Sequence, residues 1–102
     1  MEKISKEQYE NMLSGKKDAI VQFSADWCGP CKMLSPILES LGKENNLLVC
    51  KIDISEHSEF ARQKGVMSIP YVEIIKSGEV ADKFVGSKPK NLIQESVTNV
   101  FN

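Results

Sequence analysis

Apolar residues along this chain fall into short unbroken runs that alternate with stripes of helical period. Ser5-Lys6-Glu7-Gln8 has the S-x-x-Q form of a capping box, and Tyr9, Met12 and Leu13 then share one helical face, which predicts a first helix to about Gly15. Ala19 to Ala25 is nearly continuous in apolar character apart from Gln22, as suits a central parallel strand covered on both faces. Leu34, Ile37, Leu38 and Leu41 recur at i, i+3, i+4 and i+7 and predict a second helix. Pro36 lies inside that stripe; it removes a backbone donor and is expected to bend the helix, freeing its first turn. Leu47 to Asp53 reads as another buried strand, and Ser58 to Gly65 as a short helix or turn carrying Phe60 and Ala61. Tyr71 to Lys76 and Val80 to Val85 are strands joined through Ser77-Gly78-Glu79, a hairpin connection that makes them antiparallel. A last helix starts near Pro89, a favourable first-turn residue, and buries Leu92 or Ile93, Val97 and Phe101. With Lys3-Ile4 as a short first strand the order is β-α-β-α-β-α-β-β-α, an α/β pattern that implies a mixed sheet with helices on both faces.

At 102 residues the chain is long enough for one domain, 1–102, with a single core. Thirteen basic and fourteen acidic residues nearly cancel, so charge gives no reason to expect nucleic acid or an anionic membrane as a partner. No apolar run approaches the length of a membrane span. Met1-Glu2-Lys3-Ile4-Ser5 turns polar at once and lacks the apolar core of a secretory signal, so a cytoplasmic location is expected. Three cysteines, two of them close together, suit catalysis better than a disulfide framework. A zinc site would have to borrow ligands from Cys50 or from carboxylates, because His57 is the only histidine and there is no second C-x-x-C.

The chemistry concentrates in Trp27-Cys28-Gly29-Pro30-Cys31-Lys32. Two cysteines separated by two residues form a reversible dithiol, and their place between an apolar strand and a helical stripe puts Cys28 at a helix start. Free amide N–H groups and the positive end of the helix dipole favour an anion there and lower a thiol pKa. Cys28 is therefore the candidate nucleophile and Cys31 the resolving thiol; the competing reading is a constitutive disulfide or two inert thiols. Gly29 and Pro30 set the turn between the sulfurs without adding positive charge, which points toward a reductant.

The W-C-G-P-C-K hexapeptide resembles that of the thioredoxin family. Lys51-Ile52-Asp53, Gly65-Val66, Ile69-Pro70, Lys76-Ser77-Gly78-Glu79 and Val85-Gly86 follow in the family's order, so the resemblance covers nearly the whole chain. It implies the thioredoxin fold, a central mixed five-stranded sheet with a short first strand, flanked by four helices. It also implies a protein-disulfide reductase, a monomer with no bound cofactor beyond the redox-active Cys28–Cys31 pair. Its partners would be a separate thioredoxin reductase and disulfide-containing target proteins. In the family the proline of Ile69-Pro70 is cis and lies beside the dithiol, and the preceding residue pairs with an extended substrate segment. Carried over, Ile69 offers its backbone to the substrate while Trp27, Pro30, Pro70 and Gly86 help form a shallow apolar landing surface. Trp27 has the alternative of a place in the core. The runner-up function is a partner-binding module that uses the same surface without turnover.

Several positions depart from the family pattern. Gln22 stands where a buried carboxylate usually assists proton transfer at the resolving cysteine, and Lys51 matches the lysine that accompanies that carboxylate. An amide cannot accept a proton, so Lys51, water or another carboxylate must serve. Glu73, within an apolar strand, is the candidate replacement; the other reading is a carboxylate that reaches solvent at a gap between helices. Ser24 and Tyr71 exchange the usual aromatic and small residues. Tyr71 then either narrows or extends the substrate groove, or fills space vacated near Ser24. Cys50 reads as a core residue rather than a regulatory thiol, and His57 as a surface residue rather than a catalytic one.

Overall fold

The computed structural model describes residues 1–102. Its elements are β1 (Glu2–Lys3), α1 (Lys6–Ser14), β2 (Ala19–Ser24), α2 (Gly29–Asn45), β3 (Leu48–Asp53), α3 (Ser58–Gln63), β4 (Tyr71–Lys76), β5 (Glu79–Val85) and α4 (Lys90–Phe101). The strands form one sheet in the order β1-β3-β2-β4-β5. Pairing is parallel between β1 and β3 and between β3 and β2, and antiparallel from β2 to β4 and from β4 to β5. The mixed five-stranded sheet with four helices is the expected one.

Local chemistry sets these boundaries. The capping box forms in full: Ser5 Oγ accepts from the Gln8 N–H at 3.1 Å, and Gln8 Oε1 accepts from the Ser5 N–H at 2.8 Å. Every residue of β2 is buried, because helices cover both faces of the sheet's central strand. Ser77 and Gly78 both have positive φ, 52° and 79°, the combination a two-residue hairpin requires. This turn is docked as well as tight, since Asp18 Oδ1 accepts from the Ser77 N–H at 2.7 Å and the Lys17 carbonyl accepts from the Gly78 N–H.

Side-chain alternation sorts the core into two layers. Ala19, Val21, Phe23, Cys50, Ile52, Tyr71 and Ile75 pack with Tyr9 and Met12 of α1 and Phe60 of α3. Ile20, Val72 and Ile74 pack on the other face with Leu34, Leu38 and Leu41 of α2 and Ile93 and Val97 of α4. Gln22 and Ser24 share the α2 face with Ile20, whereas Glu73 shares the α1 face with Tyr71 and Ile75.

Some sequence boundaries move. The first strand is Glu2–Lys3 rather than Lys3-Ile4, and Ile4 turns into the core while its N–H still reaches the Lys51 carbonyl at 2.8 Å. Strand β2 stops at Ser24, β3 starts at Leu48, and β5 starts at Glu79 because the turn needs only two residues. Pro89 is the N-cap of α4 with extended backbone, one position before the first turn. Ile93 rather than Leu92 is buried there, and Phe101 is half-buried. Helix α2 runs without interruption through the exposed Pro36.

Candidate active site

Strand β2 delivers the chain to the redox motif, and α2 begins within it. Cys28 is the N-cap of α2 with extended backbone, and Pro30 occupies the first turn, where a missing N–H costs nothing. Cys28 Sγ takes the place of a capping oxygen and accepts from the Cys31 N–H at 3.2 Å. The two cysteines are joined by a disulfide with Cα atoms 5.3 Å apart. Both are nearly buried and pack with Ala25, Ile54 and Ile69. Trp27 is 73% exposed beside them, which decides its place: the rim, not the core. Gly29 and Pro30 are exposed on the same rim.

Pro70, at the foot of β4, follows a cis peptide bond from Ile69. Its carbonyl accepts from the Gly86 N–H at 2.8 Å, so Gly86 is tied to the loop that carries Ile69. Gly86 itself has φ of 85°, a conformation that favours glycine. Cys28, Cys31, Trp27, Pro30, Ile69, Pro70 and Gly86 are thus brought together around one end of the sheet. The backbone N–H and C=O of Ile69 make no hydrogen bond within the chain. Two exposed methionines escaped the sequence reading: Met33 on the first turns of α2 and Met67, 95% exposed, two residues before Ile69. Residue type gave them away only as apolar; their exposure follows from the helix face and the loop.

Beneath the dithiol, Gln22 is fully buried. Its Nε2 donates to the Cys31 carbonyl at 3.2 Å, and its Oε1 accepts from the Ser35 hydroxyl at 2.8 Å. The same hydroxyl lies 2.9 Å from the Cys31 carbonyl, so its single proton has two acceptors within reach. Both of Gln22's hydrogen bonds go to α2. Lys51 stands opposite Gln22 in the β2/β3 register, half-buried. Ser35 was missed because serine is ordinary in a helix; the available signal was its spacing, one turn after Cys31 and facing the same strand.

The structure corrects both readings of Glu73. It neither replaces the missing carboxylate nor reaches solvent. It projects from the sheet face opposite Gln22 and is 1% exposed. Lys64 Nζ lies 2.8 Å from its Oε2, Tyr71 donates to the same oxygen at 3.1 Å, and Tyr9 donates to Oε1. Tyr71 is corrected with it, since its buried ring packs edge-on against Phe23, centroids 5.3 Å apart, on the face away from Ser24. It therefore neither lines the groove nor fills space at Ser24. Burial and the Glu73 charge push the Tyr71 phenol up to about 12, and burial together with the Glu73 hydrogen bond raises that of Tyr9 further.

Cys50 is fully buried in the α1-side core, where burial pushes its thiol up to about 12, the inert state expected of a core cysteine. His57 is half-buried at the N-cap of α3 and makes no hydrogen bond to the cap. No three His, Cys, Asp or Glu side chains converge on a point that would hold a metal ion.

The thioredoxin family model matches residues 1–99. Thioredoxin of Bacillus subtilis is 49% identical over 80 residues, covering 76% of this chain and 77% of that protein. A bifunctional thioredoxin reductase/thioredoxin of Mycobacterium leprae is 37% identical over 94 residues, which are 90% of this chain but 20% of that protein. Among solved structures, a mutant thioredoxin from Halobacterium salinarum superposes with a TM-score of 0.87 at 27% identity, covering 99% of this chain and 92% of that one. Thioredoxins carry redox equivalents on their active-site cysteines alone, and the disulfide at the head of α2 is such a pair. The chain belongs to the thioredoxin family and is a thiol–disulfide oxidoreductase.

Proposed function

We propose that this chain reduces disulfides in target proteins, with Cys28 as nucleophile and Cys31 as resolving thiol. In the reduced protein the Cys28 thiolate attacks one sulfur of the target disulfide, forming a mixed disulfide and releasing the other target sulfur as a thiolate that takes a proton from water. Cys31 then loses its proton and attacks Cys28 Sγ. The second target thiolate leaves, two electrons have passed to the target, and Cys28–Cys31 is oxidised. The observation that carries this assignment is the Cys31 N–H aimed at Cys28 Sγ at the N-cap of α2, a donor that stabilises negative charge on one sulfur and not the other.

Ile69 offers a target unpaired backbone groups beside the dithiol it packs against, with Pro70 and the Gly86 tied to it alongside and with the exposed Trp27 and Pro30 at the same end of the sheet. Electrons for the next cycle come from a thioredoxin reductase; the M. leprae relative, whose name joins reductase and thioredoxin in one protein, supports that partner. We read the protein as one domain working as a monomer in the cytoplasm, where a buried thiol such as Cys50 persists unpaired.

Substitution of each cysteine tests the assignment. Cys31→Ser retains the first attack and accumulates mixed disulfides with targets, whereas Cys28→Ser forms none and loses reduction of insulin disulfides altogether. Trapping by Cys28→Ser instead would reverse the two roles.

A further inference from the structure

The loop between α3 and β4 presents Ile69 to the dithiol, yet it holds itself together poorly. Its first residues are tied back, Gly65 N–H to the Arg62 carbonyl and Val66 N–H to the Ala61 carbonyl, and its last carbonyl, that of Pro70, is held by Gly86. Between them Met67, Ser68 and Ile69 make no hydrogen bonds through their backbones. The position of this free stretch is therefore set by its two ends and by the packing of Ile69 on Ala25, Cys28 and Cys31.

Both ends converge on one buried carboxylate. Lys64, the last residue before the loop, and Tyr71, the first after Pro70, meet on Glu73 Oε2 at 2.8 and 3.1 Å. Tyr9 from α1 donates to Oε1, and Lys64 also donates to the Tyr9 hydroxyl at 2.9 Å. A carboxylate buried to this degree is tolerated only when its charge is paired and its oxygens are occupied, and here ammonium and phenols supply both. Removing any one donor leaves the others with a poorly satisfied charge, so the three act as a unit.

We propose that Glu73 is a positioning residue for target binding: by clamping Lys64 and Tyr71 it fixes the separation of the loop's ends and so the placement of Ile69's backbone. This rests on the reading that Ile69 pairs with the substrate. The clamp lies across the sheet from the dithiol and touches neither sulfur, so its effect falls on targets that use the loop and spares those that do not.

The test uses the reduced full chain, a short disulfide peptide, the same peptide N-methylated at the amide that would donate to the Ile69 carbonyl, and a small aromatic disulfide. Losing one backbone hydrogen bond is expected to slow attack on the methylated peptide by roughly tenfold in the wild type. In Glu73→Gln the second-order rate constant for the unmethylated peptide falls by about three- to tenfold, and the penalty for methylation shrinks. The small disulfide reacts within about twofold of wild type. Lys64→Met and Tyr71→Phe, each of which removes one donor, shift the same quantities in the same direction and stand in if Glu73→Gln folds poorly. Ile75→Val trims the same core without touching the clamp and leaves the peptide rates unchanged, which separates positioning from lost stability. Equal wild-type rates for the two peptides would remove the pairing reading and the proposal with it. A wild-type preference retained in full by all three clamp variants would overturn the clamp alone, as would equal slowing of peptide and small disulfide.

Discussion

Gln22 puts an amide, not a proton acceptor, beneath Cys31. Its amide is committed at both ends, to the Cys31 carbonyl and to Ser35, and can take up no proton itself. Gln22→Asp places an acceptor under Cys31 and retains a partner in the Ser35 hydroxyl, but it loses the donor to the Cys31 carbonyl. Resolution of the mixed disulfide is expected to quicken near neutral pH. Desolvation raises the new carboxyl's pKa, its charge raises those of the cysteines, and the imperfectly paired acid lowers the melting temperature. Stopped-flow resolution rates from pH 6 to 9 check this. Superimposable profiles would assign the proton to Lys51 or water, since Glu73 is on the other side of the sheet. At this scale the sequence was most legible where chemistry is local: a dithiol at a strand-to-helix turn announces itself by spacing. Glu73 was illegible for the opposite reason. Its three donors come from positions 9, 64 and 71, and only tertiary packing brings them to one carboxylate.

Element boundaries followed from caps and turns, and the errors there have one cause. A strand ends where its residue-by-residue register with a neighbour ends, which for β1 is Lys3 opposite Lys51, not where its apolar pattern does. Hence Ile4, apolar and buried, lies outside β1, and Glu79, polar and exposed, lies inside β5. Glycine shows the same division between local and tertiary control. Gly65 and Gly78 both adopt positive φ, 77° and 79°, but a Cβ on Gly65 meets nothing within 4 Å, whereas one on Gly78 would stand 2.1 Å from the Leu13 carbonyl oxygen. Gly65→Ala is therefore expected to cost about 1–2 kcal/mol of conformational strain alone. Gly78→Ala adds a collision with backbone and must shift the hairpin from the α1–β2 connection, so its loss is larger. Urea denaturation of the two variants measures the difference. Equal losses would mean that the hairpin moves freely on α1.

Across the whole molecule the sheet separates two kinds of chemistry. The α2 face and its end of the sheet carry the redox pair, while the α1 face buries three groups that must keep their protons: Cys50, Tyr9 and Tyr71. Burial is the first cause in all three, raising Cys50 and Tyr71 to about 12 from ordinary values near 9 and 10 and Tyr9 beyond that. An unfolded chain releases these protons at the ordinary values, and the folded chain retains them. Above about pH 9 the unfolded state therefore binds fewer protons than the folded one, and stability falls as pH rises. The stabilisation is fully present below pH 9 and is lost progressively toward pH 12. In the oxidised protein, where neither Cys28 nor Cys31 titrates, the urea midpoint is expected to hold level to pH 8.5 and then decline through pH 11. Cys50→Ala flattens the first part of that decline, between about pH 9 and 10, where of the three groups the thiol titrates first in the unfolded chain. Tyr71→Phe flattens the part above pH 10, although it also removes a donor from Glu73 and lowers the whole curve. A level midpoint through pH 11 in the wild type would contradict the burial of all three groups, and with it the division of labour between the faces.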